Sequence, residues 1–437
     1  MKKALGVAAV NIAVFLCLYA IVEGGSWAVI KFYSGRADTP VTVAGDGDDK
    51  LELYSSKAVG DDLAARHDMT GSPMRYETYV VYTNRPYRSA HVNVSENSER
   101  LNGRESPANA EEVWVFGSSA LFGVSSGDDE TIPAYMEATL SAELGRPIHV
   151  RNFGVEGYTS WQDLINFSIR LWQYTPFKPK LVVFFNGVND HYRAFINEAD
   201  DCRHLLYTGV GSREVLEQAW EDRSRGRIIS WPSIADPAKR LFQHTTKLID
   251  LAENKIDLKV TNGDIAAWRK AYSARRERTK AITSKCSKEA GGIYLRNMKA
   301  AARLARDNGI AIAFAHQPLL FMTKKPLVGS EISEFNEPDN NVFALTDKQL
   351  AALHAVPAFR LNQLHLWDRS QFIEAYEGQR RDLLAMCREM DVPCVVVDPE
   401  LDKAGAVLIF SSQVHFTFRG ARIVGQAIAR PIEDLLR

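Results

Sequence analysis

A serine on a glycine-flanked turn is the first candidate for chemistry in this sequence. Ser119 lies in the turn Gly117 to Gly123, directly after the apolar run Val113 to Phe116, which is typical of a buried strand. Such a turn holds a hydroxyl above the end of a sheet, where α/β proteins usually place reactive groups. Because Gly-Ser-Ser turns are common, the turn alone predicts only a candidate nucleophile.

Three further segments carry polar residues at the ends of predicted strands or just before a helix. They are Arg151 to Ser160, Asn186 to Asp190 after the apolar strand Leu181 to Phe185, and Gln413 to Thr417 before the amphipathic segment Ala421 to Leu436. A serine hydroxyl reacts only when a base takes its proton, and histidine is the usual base because its pKa lies near neutrality. His415 in the last segment is therefore the candidate base for Ser119.

These four blocks resemble those of the SGNH (GDSL-type) hydrolase family and occur in that family's order. The chain has a Gly-x-Ser turn at Gly117, Asn-x-Gly-x-x-Gly-x-Thr from Asn152, Gly-x-Asn-Asp from Gly187, and a late histidine. The resemblance covers about Glu111 to Arg437, interrupted by long insertions. It implies an α/β fold with a doubly wound, flavodoxin-like parallel sheet of five strands. It also implies ester hydrolysis or acyl transfer through an acyl-serine intermediate.

The resemblance assigns roles to residues that would bind the oxyanion of this reaction. The donors in the family are two backbone N–H groups and an asparagine side chain, and the matching residues here are Ser119, Gly157 and Asn189. A glycine lets the substrate approach the backbone closely, and an amide stabilises an anion without adding charge. No cofactor is expected, and no cysteine–histidine spacing indicates a metal site.

The last block departs from the family pattern, which is Asp-x-x-His. Ser412 stands three residues before His415, where the family has an aspartate that orients the imidazole. Three alternatives are open: Ser412 or a backbone carbonyl orients His415, another carboxylate does so, with Asp398 or Asp402 nearest in sequence, or the site is weakened or lost. An enzyme is still expected, because the nucleophile, base and oxyanion donors can act without the acid.

The N-terminus predicts a membrane anchor. Lys2 and Lys3 precede the uncharged run Ala4 to Val22, which is just long enough to span a bilayer, for which about 20 residues are needed. A cleaved signal peptide is one alternative, although Tyr19 to Glu23 is a poor cleavage site, and a buried globular helix is another. We expect a single-pass anchor in a bacterial inner membrane, with the remainder of the chain in the periplasm.

Composition limits the other classes of protein. The chain has 437 residues with 53 basic and 54 acidic side chains, and it has no basic stripe that would favour nucleic acid as a partner. Its five cysteines are too few for a disulfide scaffold. We predict that Cys387 and Cys394 are plain core residues, and we leave open whether Cys202 and Cys286 pair.

Strands and helices alternate from residue 113 onward, as is typical of a parallel sheet covered on both faces. We predict an anchor at 1–31, a linker at 32–73 and an SGNH-like domain at 74–437, in which Met74 to Val94 adds one or two edge strands. Insertions at about 195–294 and 319–368 follow strand ends, where loops shape a pocket, so we expect lids or substrate-binding subdomains. His316-Gln317-Pro318, at another strand end, is interpreted as structural.

The sequence therefore predicts an enzyme of the cell envelope that hydrolyses or transfers an O-acyl group on a glycan or a related ester. An anchored domain that faces the envelope favours an acylated glycan as the substrate, and a lipid ester is an alternative. The second hypothesis is a catalytically silent SGNH-like module that binds a glycan or scaffolds an envelope assembly, because the aspartate of the last block is replaced by Ser412.

Overall fold

The computed structural model describes residues 53–69, 73–104, 107, 109–174, 178–196, 289–336 and 369–437. All of them belong to one compact unit. The predicted anchor at 1–31, the cysteines at 202 and 286, and most of both predicted insertions lie outside these residues. Within the described ranges, no helix is long and apolar enough to cross a membrane.

The first described elements precede the main sheet. Helix α1 (Lys57–His67) is followed by β1 (Met74–Glu77) and β2 (Val81–Asn84), which form a separate antiparallel pair. The linker prediction missed the helix, which begins at a side-chain cap from Ser56 and buries an apolar face against the unit. The edge-strand prediction was wrong, because the hairpin packs on a helix of the main unit rather than extending the sheet.

Five parallel strands form the central sheet. They are β3 (Glu111–Gly117), β4 (Ile148–Asn152), β5 (Leu181–Asn186), β6 (Ala311–His316) and β7 (Cys394–Val396), in the order β4-β3-β5-β6-β7. Within this sheet, the first strand, β3, lies between the next two, β4 and β5, which is the doubly wound, flavodoxin-like order. The predicted α/β fold is confirmed, with the strand ends moved by one or two residues.

Side-chain alternation along the strands divides the core into two layers. Val113 and Val115 of β3 face one cluster, whereas Trp114 and Phe116 face the other. All of these side chains are buried, as in a sheet that helices cover on both faces. The uninterrupted apolar run in the sequence therefore reflects burial of both faces.

Helices cover the two faces and connect the strands. After α1 they are α2 (Ser119–Phe122), α3 (Ile132–Leu144), α4 (Ser160–Gln173), α5 (Val188–Ile196), α6 (residues 289–307), α7 (Ser330–Asn336), α8 (Arg369–Met390), α9 (Asp398–Asp402) and α10 (Phe418–Ile432). Helices α3 and α10 pack together on one face, while α4, α6 and α8 bury apolar side chains on the other.

A disulfide bond joins Cys387 near the end of α8 to Cys394 at the start of β7. The prediction that both are plain core residues was therefore wrong. The turn between helix and strand brings the two Cα atoms to 6.0 Å, which is within the range that a disulfide can bridge. Sequence spacing could not show this proximity, because it depends on how the chain turns between the two elements.

Gly117→Ala should destabilise the fold by about 3 kcal/mol, because an added Cβ would lie 2.2 Å from the Phe185 carbonyl oxygen of β5. Gly378→Ala is the matched control: it lies within α8, its Cβ would meet nothing closer than 3.7 Å, and alanine favours helix. Urea unfolding of both variants measures the difference. Equal stability of the two variants would contradict the close strand approach.

Candidate active site

Ser119 begins a short helix directly after strand β3. The N–H groups of Leu121 and Phe122 donate to the Ser118 carbonyl at 3.0 and 2.9 Å, and α2 ends at Gly123, whose φ is 84°. This tight strand–turn–helix buries Ser118 and Ala120 but leaves Ser119 partly exposed. The predicted nucleophile is thus the one hydroxyl of the turn that a substrate can reach.

The structure brings three of the predicted residues into one hydrogen-bonded row. His415 Nε2 lies 2.8 Å from Ser119 Oγ, and His415 Nδ1 lies 2.8 Å from Ser412 Oγ. Ser412 Oγ also accepts the N–H of His415 at 3.3 Å. When Nδ1 carries the imidazole proton and donates it to Ser412, Nε2 is left free to accept the proton of Ser119.

The two aspartates considered as replacements for the missing acid bind elsewhere. Asp402 Oδ1 accepts hydrogen bonds from Thr323 Oγ1 and from the N–H of Lys324. Asp398 pairs with Arg380 at 3.3 Å. The hydrogen-bond partner of His415 Nδ1 is therefore Ser412 and neither of these carboxylates. In the described part of the chain, no group of three or more His, Cys, Asp or Glu side chains could hold a metal ion.

The surroundings of His415 favour a neutral imidazole. Burial lowers the pKa of His415 to about 4, because the charged form is poorly solvated. The carboxylate of Glu156 acts in the opposite direction and raises this pKa. A neutral imidazole is the form that can accept a proton from a serine. His415 is therefore in the form that a general base requires at any pH well above 4.

The predicted oxyanion donors lie on the segments that follow β3, β4 and β5, and a hydrogen bond connects the last two of these segments. The N–H of Ser119 is at the first position of α2, and in the described residues neither it nor the N–H of Gly157 donates to another group. Gly157 has a φ of 77°, a conformation that favours glycine. Asn189 Nδ2 donates one hydrogen to the carbonyl of Tyr158, next to Gly157, at 2.8 Å, and its second N–H hydrogen is available for a ligand.

Asn152 fixes the second block against the nucleophile turn, a role that the sequence analysis did not assign. Its Nδ2 donates to the Leu121 carbonyl at 3.0 Å, while its Oδ1 accepts the N–H of Gly154 at 3.0 Å. A Cβ on Gly154 would lie 2.6 Å from the N atom of Phe122, so the two segments are in backbone contact. The sequence feature that could have indicated this role is the position of Asn152 as the first residue of the Asn-x-Gly-x-x-Gly-x-Thr block.

A buried arginine from α1 also reaches this block. Arg66 donates to Glu156 Oε1 at 2.6 Å and to Asn84 Oδ1 at 3.3 Å, and its guanidinium lies 4.2 Å from the centre of the Phe122 ring. Asn84 in turn donates to the Gly154 carbonyl at 2.9 Å. No sequence pattern indicated this contact, because α1 falls in the segment predicted to be a linker.

Two fully buried carboxylates stabilise the second and third blocks through hydrogen bonds. Asp190 accepts the N–H and the hydroxyl of Ser160 at 3.0 and 2.5 Å, and burial raises its pKa to about 6. Asp163 accepts Asn186 Nδ2 at 2.8 Å, and burial raises its pKa to about 8. The pairing of Asp190 with Ser160 joins the start of α4 to the start of α5, which carries Asn189.

A serine hydroxyl and an imidazole hydrogen-bonded at the carboxyl edge of a doubly wound parallel sheet define the arrangement of a serine hydrolase. Residues 115–312 match the GDSL-like Lipase/Acylhydrolase family. This span includes Ser119, Gly157 and Asn189, and His415 lies beyond it. Over this span the chain is similar to that family. No curated protein is detectably similar to the chain in sequence.

Several solved structures resemble the chain weakly. A member of the lipolytic protein G-D-S-L family from Veillonella parvula is 11% identical, with 74% of this chain and 97% of that chain covered and a TM-score of 0.34. A catalytic mutant of an acetylxylan esterase from Geobacillus stearothermophilus is 12% identical, with 75% and 96% covered and a TM-score of 0.35. A GDSL-like lipase from Bacteroides thetaiotaomicron is 12% identical, with 74% and 88% covered and a TM-score of 0.31.

The stability of the Asp163→Asn variant relative to the wild type should increase as pH rises. The unfolded chain loses the Asp163 proton near pH 4, whereas the folded protein keeps it until about pH 8. The free energy of unfolding of the wild type therefore falls with rising pH in this window, by about 1.4 kcal/mol per unit from this group. Asparagine does not titrate, and its side-chain oxygen can accept the hydrogen bond from Asn186 Nδ2 as Asp163 does.

Thermal unfolding at about pH 5 and about pH 8 tests this prediction, and the Tm of the variant relative to the wild type should increase between them. Asp382→Asn, at an exposed position of α8, is the control for loss of one carboxylate. A difference in Tm between Asp163→Asn and the wild type that is the same at both pH values would show that Asp163 does not hold a proton in the folded state.

Proposed function

We propose that this chain is a serine-dependent esterase or acyltransferase in which Ser119 is the nucleophile and His415 the general base. The observation that carries the proposal is the row Ser119 Oγ, His415 and Ser412 Oγ, with 2.8 Å at each of its two contacts. The geometry meets the requirement that the nucleophile and base lie within hydrogen-bond reach, with a third group holding the base. The match to an acylhydrolase family supports the same reaction class.

The first half of the reaction forms an acyl-enzyme. Ser119 Oγ attacks the acyl carbonyl carbon of the ester while His415 Nε2 takes the hydroxyl proton. The N–H groups of Ser119 and Gly157 and the side-chain amide of Asn189 bind the oxyanion, and one such donor contributes about 3 kcal/mol to transition-state stabilisation. The tetrahedral intermediate collapses, His415 returns the proton to the leaving alcohol oxygen, and the C–O bond of the ester breaks.

The second half transfers the acyl group to an acceptor. His415 removes a proton from water in an esterase, or from a glycan hydroxyl in a transferase, and the acceptor oxygen attacks the acyl carbon. The acyl–Ser119 bond then breaks, and the proton on His415 returns to Ser119 Oγ. Ser412 accepts the Nδ1 hydrogen throughout but, as a neutral hydroxyl, stabilises the imidazolium less than a carboxylate would.

An O-acylated glycan of the cell envelope is the substrate that we propose, with a lipid ester as the alternative. The support is the uncharged run Ala4 to Val22, which is long enough for an anchor in the inner membrane of a bacterium. The disulfide between Cys387 and Cys394 also favours an oxidising compartment such as the periplasm. Both observations would place the chain where acylated polysaccharides are made and modified.

Labelling with a fluorophosphonate tests the activated serine. The full-length protein in detergent should gain one stoichiometric adduct on Ser119 as its oxygen displaces fluoride from phosphorus, and Ser119→Ala should gain none. His415→Ala should lose at least about 100-fold in labelling rate, because general-base catalysis contributes about that much. Intact mass and peptide mapping identify the site, and hydrolysis of acetylated oligosaccharides or of short-chain lipid esters then separates the two substrates.

The silent binding module is the second candidate, and the neutral Ser412 at the position of the family's acid favours it. The two candidates differ in one outcome. A folded, monodisperse wild-type protein that gains no adduct at Ser119 would contradict the enzyme and leave the binding module.

Ser412→Ala should slow fluorophosphonate labelling by about tenfold, because it removes the acceptor that orients His415, a loss of about 1.4 kcal/mol. Ser412→Asp supplies the family's carboxylate, which should raise the pKa of His415 above about 4 and so move the acid limb of the labelling rate to higher pH. Ser411→Ala is the control, since Ser411 Oγ bonds Ser125 Oγ and not His415. An unchanged rate and pH profile for Ser412→Ala would show that Ser412 does not orient the base.

A further inference from the structure

A fully buried ion pair lies outside the row of candidate catalytic residues. Lys325 Nζ and Glu331 Oε2 are 2.5 Å apart, and neither side chain is exposed to solvent. Both residues fall in the described first part of the predicted second insertion, with Glu331 at the start of α7. A buried ion pair is not generally more stabilising than apolar side chains of similar size. Stability alone therefore does not explain this pair, and its hydrogen-bond partners indicate its structural role.

The carboxylate of Glu331 joins two segments that are far apart in sequence. Its Oε2 accepts Lys325 Nζ and the N–H of Val328, and its Oε1 accepts the N–H groups of Ile409 and Phe410 at 2.9 and 3.0 Å. Four donors therefore occupy the four lone-pair positions of one carboxylate. Two of these donors belong to the loop that carries His415.

That loop is closed by its own backbone hydrogen bonds. The N–H of Ser411 donates to the His415 carbonyl at 3.0 Å, and the N–H of Thr417 donates to the Ile409 carbonyl at 2.8 Å. Phe410 and Phe416 form an antiparallel bridge. The side of the loop at residues 409–410, which Glu331 holds, is thus tied to the side that carries the imidazole.

Other residues of the segment that follows β6 contact the tip of the same loop. The N–H of Leu320 donates to the Gln413 carbonyl at 3.0 Å, and Gln317 Nε2 donates to the Val414 carbonyl at 2.8 Å. Gln317 is itself fixed, because its carbonyl accepts the hydroxyl of Tyr376 at 2.6 Å. The segment that follows β6 therefore holds the loop of His415 at its base and at its tip.

We propose that Glu331, held in place by Lys325, is a positioning residue for His415: its carboxylate fixes the backbone of residues 409–410 so that the imidazole reaches Ser119. This inference rests on the proposed function of Ser119 and His415. It assigns to the start of the second insertion a part in the reaction that differs from the lid or substrate-binding role expected from the sequence.

Two double variants separate positioning from general stability. Lys325→Met with Glu331→Gln removes both charges but keeps an oxygen that accepts the N–H groups of residues 409 and 410. Lys325→Met with Glu331→Leu removes both charges and that acceptor. If the leucine variant does not fold, Lys325→Met with Glu331→Met replaces it, because the flexible methionine side chain fills irregular space.

The readout is fluorophosphonate labelling of Ser119 in the full-length protein, with kinact and KI determined separately. The glutamine variant should keep kinact within about threefold of the wild type, and the leucine variant should lose about tenfold or more in kinact with an unchanged KI. The acid limb of kinact should also rise in the leucine variant, because a loosened His415 gains water. Tm values confirm that both variants are folded.

Equal kinact values and equal pH profiles for the two folded double variants would overturn the proposal. If the wild type is not labelled at all, the proposed function fails, and hydrogen exchange of the peptide covering residues 409–416 decides the positioning role by itself. Exchange that is about tenfold faster in the leucine variant than in the glutamine variant would support the tether, whereas equal exchange would overturn it.

Discussion

Close backbone contact between strand β3 and its neighbours is the constraint on which the rest of the structure depends. Gly117 lies so near the Phe185 carbonyl of β5 that even a Cβ has no room, and a Cβ on Gly154 would also clash with the backbone of α2. Because the three strands run parallel, the segments that follow them leave the sheet at the same edge. The hydroxyl of Ser119, the N–H of Gly157 and the amide of Asn189 are therefore carried on adjacent segments that follow these strands.

The parallel strands do not position His415 in this way, because it lies on a loop rather than directly after a strand of the sheet. Its position depends on hydrogen bonds from the segment after β6 and on the buried carboxylate of Glu331. Burial also keeps the imidazole neutral, and Ser412 forms a hydrogen bond with its Nδ1 without supplying a charge. The base is thus placed by backbone contacts, whereas a carboxylate partner would have contributed both orientation and charge.

Much of the fold was predictable because its signals are local. The uninterrupted apolar runs of β3 and β5 indicated strands buried on both faces, and the alternation of strands and helices indicated a parallel sheet. Glycines at the strand ends marked tight turns, and the order of four short blocks predicted the similarity to an acylhydrolase family and the candidate reacting groups. The helix Lys57–His67, the separate hairpin and the Cys387–Cys394 disulfide were missed, because each depends on packing against distant residues.

The sequence by itself determined which side chains could react, since strand, turn and residue type are encoded within a few positions of each other. Only the tertiary structure decided how those side chains are held. It placed Ser412 rather than Asp398 or Asp402 on the imidazole, and it brought Glu331 to the loop of His415 across nearly eighty residues. Hydrogen bonds between segments far apart in sequence leave no periodic or local pattern, because the loop that each partner stabilises lies on a different part of the chain.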